Sequence, residues 1–308
     1  MKILIDNQEY FFDESETIAD VNSIARQFTL VDINKNQRFS KGQTVKIFDD
    51  LDILFIVADI EYIEVKGNSE ESTFVYAGRN NAKFIVDAYA NKTTQFSQGQ
   101  DINSVLSEVA TPFGISVTGS AKLPKQDIRT ILIGEKISTA FIEIAQTAGK
   151  IITSDAKGNL SIEFQAVNES EDIIEYGTNI LHRDYINNST ELYEKYTIVS
   201  QSNYLFNQQQ DVNVQGSFGN GKKEKVKVSK STLTINECEK LAQIEYKKDI
   251  RRSISYEVKT NNVHYDLNKT FFIKDVPLEI NEKMNCKTII LAQDKDEFYT
   301  KAIFEKVV

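Results

Sequence analysis

The pattern of apolar and polar positions changes twice along the chain. In roughly the first 80 residues it has the two-residue period of half-buried strands. Lys2-Ile3-Leu4-Ile5 begins one strand, and Thr44-Val45-Lys46-Ile47-Phe48 alternates cleanly. Asp49-Asp50 supplies a turn before the apolar stretch Leu51 to Ile63, and Thr73-Phe74-Val75-Tyr76-Ala77 follows a polar link, Gly67 to Ser72. Five or more short strands in this stretch predict a small barrel or sandwich, because an isolated hairpin buries too little surface.

Between Asp87 and Phe164 the period lengthens to that of helices. Ile102, Val105, Leu106 and Val109 fall at i, i+3, i+4 and i+7, with Asp101 placed to cap the free amides and Pro112 to end the run. A second helix has Ser138 as its expected cap, Phe141, Ile144, Ala145 and Ala148 inward, and Gly149 for a left-handed stop. Asp155-Ala156-Lys157-Gly158 then turns between strands at Lys150 to Ser154 and Asn159 to Phe164.

Beyond this unit strands return, interrupted by one helix. Thr234-Ile235-Asn236-Glu237 reads as a capping box, with Ile235, Cys238, Leu241, Ala242 and Ile244 as the apolar face behind it. Arg252 to Lys259 alternates, with Ile254, Tyr256 and Val258 on one side and Ser253, Ser255 and Glu257 on the other. The expected fold is mainly β with an α+β insert. Its expected divisions are a first β-rich domain, barrel or sandwich, at 1–88, the α+β insert at 89–170 and a second β-rich domain with one helix at 171–308.

Composition narrows the function. A chain of 308 residues with 41% hydrophobic and 26% charged residues suits two or three globular domains rather than disorder. The absence of Trp, only three Pro and abundant Tyr and Phe favour strands. A formal charge of −9 argues against a surface that grips phosphate backbones. Cys238 and Cys286 are too few for a disulfide framework or a zinc site. No signal peptide or membrane span is visible, so a soluble protein made in the cytoplasm, with no membrane partner, is expected.

Enzyme signatures are missing. His182 and His264 have no second ligand at metal-site spacing, and there is no nucleophile elbow, phosphate-cradling loop or Cys-x-x-Cys. No catalytic residue, metal or cofactor is expected. Lys222, Lys223, Lys225 and Lys227 line a strand, where protection of an exposed sheet edge is favoured over a nucleic-acid contact. Residues 201 to 221 hold one charge and three consecutive glutamines around Tyr204, Leu205 and Phe206. Those three are candidate partner contacts, with a plain flexible loop as the equal alternative.

One ordered set of motifs carries a resemblance. A strand reaches Gly78-Arg79, then comes Phe84-Ile85-Val86-Asp87, then Phe96-Ser97-Gln98-Gly99 opens a helix that stops at Pro112-Phe113-Gly114-Ile115-Ser116-Val117. This order resembles the hub proteins of contractile phage tails, the Mu-type baseplate hub or late control protein D-like family. The likeness continues through Ser138 to Leu160, Asn236 to Lys259, and Asp275-Val276-Pro277-Leu278 ahead of a final meander.

The resemblance implies two small tail-tube-like β-barrels flanking a LysM-like helix-plus-hairpin domain. It implies a homotrimer that adapts a six-fold tail tube protein to a three-fold spike protein, with DNA or cargo only passing through a central channel. Its place would be the tail baseplate of a virion assembled in the host cytoplasm. Gly78, Arg79, Asp87, Pro112, Phe113 and Gly114 would then be structural, with Arg79 and Asp87 as a charge pair. Phe96 to Gly99 before a helix also resembles LysM modules, which implies a cell-wall glycan-binding tail protein as the alternative. A tail-borne glycan hydrolase is the third reading.

Overall fold

The computed structural model describes residues 1–21, 23–33, 38–67, 72–96, 99–122, 129–131, 133–164, 168–188, 190, 192–200, 214–229, 235–260, 263–294 and 297–307. In the first third, alternation becomes strands β1 (Lys2–Ile5), β2 (Gln8–Glu9), β3 (Glu14–Asp20) and β4 (Ser23–Ile33). They continue as β5 (Thr44–Phe48), β6 (Leu54–Asp59), β7 (Tyr62–Gly67) and β8 (Ser72–Arg79). The apolar stretch Leu51 to Ile63 is therefore two strands, broken where the Ile60 amide bonds back to the Gln43 carbonyl.

The insert begins with α1 (Lys83–Asp87), β9 (Thr94–Phe96), α2 (Ile102–Ala110) and β10 (Val117–Gly119). It continues with β11 (Arg129–Ile131), α3 (Ile137–Thr147), β12 (Lys150–Ser154) and β13 (Leu160–Phe164). Asp101 caps α2 as its position demands, its Oδ1 accepting from the amides of Asn103 and Ala121. Ser138, the expected cap of α3, is not the cap. The helix starts two residues earlier than that cap implies, at Ile137 with Lys136 at the cap position, and the Ser138 hydroxyl donates to the Val86 carbonyl at 3.4 Å. Leu106, Ala110, Ala140, Phe141 and Ile144 bury a separate core against β12 and β13.

The last part contains β14 (Asn168–Glu175), β15 (Ile180–Asn187), β16 (Lys195–Ser200), β17 (Val214–Gly219) and β18 (Glu224–Ser229). Then come α4 (Ile235–Ser253), β19 (Ile254–Thr260), β20 (Lys269–Asp275), β21 (Ile280–Gln293) and β22 (Phe298–Lys306). Helix α4 runs to Ser253, so Arg252 and Ser253 are helical and the expected strand starts only at Ile254. Of its expected apolar face, Cys238 and Ala242 are fully buried, whereas Ile235 at the first turn is exposed. The expected capping box rests on Thr234, which lies outside the described residues.

Strands from both ends of the chain share one ten-stranded sheet among the described residues, ordered β15-β19-β22-β21-β3-β4-β8-β7 with β14 and β20 joined beside β21. The fourteen-residue β21 makes this possible. Its first half, Ile280 to Asn285, pairs with β20, and its second half, Thr288 to Gln293, pairs with β3. A bulge between Cys286 and Thr288 lies at the changeover. A four-stranded sheet, β2-β1-β5-β6, packs against the long one through Ile3, Val45 and Ile47 against Phe28 and Leu30. Neither sheet closes on itself among the described residues.

Candidate functional site

The motif that singled out residues 74 to 117 is a physical junction between the long sheet and the insert. Gly78 lies in extended backbone on β8, where an added Cβ would stand 2.1 Å from the Asp59 carbonyl oxygen and 2.8 Å from the Phe28 ring. Only glycine lets β8 pass so close to β6 and β4. The next residue, Arg79, turns its guanidinium to Asp87 at the end of α1 and forms two parallel bonds, Nη1 to Oδ1 at 3.0 Å and Nη2 to Oδ2 at 2.7 Å.

A second carboxylate completes the arrangement. Arg79 Nε donates to Glu61 Oε2 at 3.1 Å, and Lys83 Nζ stands 3.4 Å from Glu61 Oε1. Two cations and two anions thus fasten α1 to β8 and to the residue ahead of β7. The bond from Arg79 holds the Asp87 carboxyl below the usual carboxylate range, and the same bond raises the Arg79 guanidinium. Asp87 is more than half exposed, so the bidentate pair contributes about 0.2–1 kcal/mol, the range of solvent-screened pairs.

Helix α1 also joins the two halves of the motif. Phe84 stacks on Phe113 with ring centroids 5.1 Å apart and planes 6° from parallel. Phe113 belongs to a 3-10 turn, Thr111 to Phe113, with Pro112 at its start and Gly114 at φ 69° closing it in the left-handed region. The hairpin turn after β12 ties the insert down from the other side. Arg26 donates to the carbonyls of Ser154 and Phe55, Asn80 donates to the Asp155 carbonyl, and the Val57 amide donates to that of Ala156.

Gly78, Arg79, Asp87, Pro112, Phe113 and Gly114 therefore gather in one region, through charge pairing, ring stacking and backbone turns. The charged groups at this junction satisfy one another. The two stacked rings remain about 40% exposed, a small aromatic face beside the junction. Tyr204, Leu205 and Phe206 lie outside the described residues.

His264, isolated in the sequence, is held in space by two carboxylates, Asp49 at 2.8 Å from Nδ1 and Asp266 at 3.3 Å from Nε2. Their hydrogen bonds, that of Asp266 foremost, outweigh burial and raise the imidazole pKa. The same bond, with Lys269 at 2.7 Å, pushes the Asp266 carboxyl far down. The cluster pins the turn after β5 to the segment ahead of β20, a contact that no local spacing announces. His182 is exposed, 3.5 Å from Asp184. Among the described residues no three His, Cys, Asp or Glu side chains converge as a metal site would require.

The lysine-rich strand β18 is an edge of the three-stranded sheet β17-β16-β18. Two of its lysines meet carboxylates of α4. Lys225 and Lys227 reach Asp249 and Glu245 of α4 at 2.7 and 2.8 Å, and Val226 and Val228 take the exposed face.

No family model matches the sequence, and no curated protein does. Solved structures do match. The 43 kDa tail protein of prophage MuSo2 from Shewanella oneidensis aligns with 98% of this chain and 97% of its own, at 17% identity and a TM-score of 0.82. A tail protein from Neisseria meningitidis MC58 covers 99% of this chain and 95% of its own, at 14% identity and a TM-score of 0.79. A type VI secretion system component of E. coli, described as structurally similar to the T4 bacteriophage tail proteins gp27 and gp5, aligns with the whole chain and 77% of its own. Its identity is 7% and its TM-score 0.64. At such identities the likeness is one of fold, and this chain has the fold of these phage tail proteins.

Proposed function

We propose that the chain is a structural hub of a phage-type tail baseplate, a homotrimeric adapter between a six-fold tail tube and a three-fold spike. The observation that carries this reading is the end-to-end match of this chain's fold to tail proteins. Two tail-tube-like units, residues 1–88 and 171–308, flank the helix-plus-hairpin insert at 89–170. Three subunits with two such units each present six similar surfaces to the tube, which reconciles the two symmetries.

In this role the protein catalyses nothing, binds no cofactor and works in the virion after assembly in the host cytoplasm. Its channel lets DNA or cargo pass, and the net charge of −9 favours carboxylates on the channel wall, where like charge keeps a polyanion from sticking. The Arg79–Asp87 junction keeps the insert in fixed orientation on the adapter. Light scattering on the purified chain, alone and with a spike protein, tests the reading. A three-subunit mass is expected in at least one of the two samples, and a stable two-fold dimer in both would sink it.

A further inference from the structure

Unpaired cations gather around one groove of this acidic chain. Strand lysines elsewhere are met by carboxylates: Lys259 by Glu297, Lys274 by Glu175, Lys283 by Glu169, Lys301 by Glu257. In the groove between α3, α4 and the paired β21 and β22 the pattern reverses. Lys247, Lys248 and Arg252 project from α4, Lys287 from the bulge of β21 and Lys306 from the end of β22. None of these five side chains has an ion pair or hydrogen bond to a described residue.

Supply does not explain this. The chain holds 45 acidic residues against 36 lysines and arginines, so carboxylates are in excess over the chain as a whole. Four of the five cations, all but Arg252, are half-buried, which removes part of their hydration without giving them a partner. Burial pushes the Lys248 ammonium down, against the raising charges of Glu245 and Asp249 on its own helix and with the lowering ones of Arg252 and Lys227. Among the described residues lining the groove Glu305 is the one acid, and its charge acts on Arg251. Ile142, Ile151 and Ile244 line the same cavity of about 290 Å³, room for a few side chains.

We propose that this groove docks an acidic segment of a partner protein. Asp and Glu carboxylates of that segment pair with the five cations, while an aliphatic side chain between them enters the cavity against Ile142, Ile151 and Ile244. A carboxylate-bearing peptide suits the site better than nucleic acid. The chain's net charge repels a polyanion at long range, the groove is short, and no aromatic ring lines it for a base to stack on. The inference stands apart from the tail-hub reading, since the groove binds or fails to bind whatever the subunit count.

The test uses the full chain and fluorescence anisotropy at low ionic strength, where the screening length is long. The probe is a fluorescein-labelled heptapeptide of alternating Glu and Asp around a central Leu. Its Gln/Asn counterpart and an oligothymidylate of equal charge are the comparisons. The acidic peptide is expected to bind, to weaken with added salt and to exceed both comparisons at least tenfold. Lys247→Glu combined with Arg252→Glu is expected to weaken it at least tenfold, and Lys41→Glu, on a remote turn, to leave it unchanged. Lys287→Glu with Lys306→Glu, on the facing wall, gives the same readout should the helix variant fail to fold. Equal binding of the neutral peptide, tighter binding of the oligonucleotide, no binding at all, or wild-type affinity in a folded double variant would each overturn the proposal.

Discussion

At the scale of single residues, close approach and charge pairing set the geometry of the junction. Gly78 has no positive φ to require glycine; the Asp59 carbonyl and the Phe28 ring require it instead. Gly78→Ala should therefore cost about 1–3 kcal/mol, the range for overpacking, because a backbone carbonyl has less freedom to move than a side chain. Urea unfolding would read this as a lowered midpoint with an unchanged slope. Asp87→Asn, by contrast, should change the midpoint by no more than the about 0.2–1 kcal/mol of an exposed pair.

His264 gives a pH dependence of known sign. Its pKa is higher in the folded chain than the ordinary value of about 6.5, so the stabilisation is complete below about pH 6.5 and is lost as pH rises through the folded value. Asp266 is shifted the opposite way. Its contribution is complete above the ordinary carboxylate value of about 3.9 and is lost as pH falls through the folded one. Urea midpoints measured across mildly acidic to mildly alkaline pH should decline for the wild type and flatten for His264→Gln. Equal slopes in the two proteins would show that the imidazole is not held by Asp49 and Asp266 as described.

At the scale of elements, legibility followed the chemistry of the inward positions. β5 and β8 were readable because Val45, Ile47, Phe74 and Tyr76 point inward at every second place. β3 was hidden because two of its three buried positions are Ser15 and Thr17, which break the apolar alternation without breaking the strand. α1 was hidden by length, since a five-residue helix shows too little of its period to be told from a strand. The candidate site was legible as a list of residues. The stacking of Phe84 on Phe113 and the role of Glu61 depend on contacts across elements that spacing does not encode. The lysines of β18 were read as lining a sheet edge, which the strand is, whereas their carboxylate partners on α4 are not visible in the spacing.

Helix α4 meets its sheet through another close approach. A Cβ on Gly216 of β17 would lie 2.5 Å from the Glu239 amide nitrogen and 2.7 Å from the Ile235 carbonyl oxygen and the Cys238 Cβ. Gly216→Ala should lift the first turns of α4 off β17, at a cost of about 1–3 kcal/mol. Hydrogen exchange would report it as faster exchange confined to α4 and β16 to β18, since Cys238, Ala242, Tyr196 and Ile198 form a small core of their own. Exchange spread evenly over the long sheet would contradict that separation.

At the scale of the whole molecule, the ten-stranded sheet binds the first and last thirds of the chain into one cooperative body. Thr288 on β21 donates to Asp20 on β3 across 268 residues of sequence, and β21 carries Ile289 and Leu291 into the same core as Phe28, Leu30 and Tyr76. Without β21 the outer edge of β3 is a row of open backbone groups, and that core loses one wall. Residues 1–88 alone should therefore fail to unfold cooperatively, and a mixture with residues 171–308 should recover structure that neither part has alone. In the intact chain the strands β3, β4, β21 and β22 should gain and lose amide protection together. A sharp, independent thermal transition of the 1–88 fragment at a temperature close to that of the full chain would show that the shared sheet is a contact between autonomous domains and not their common core.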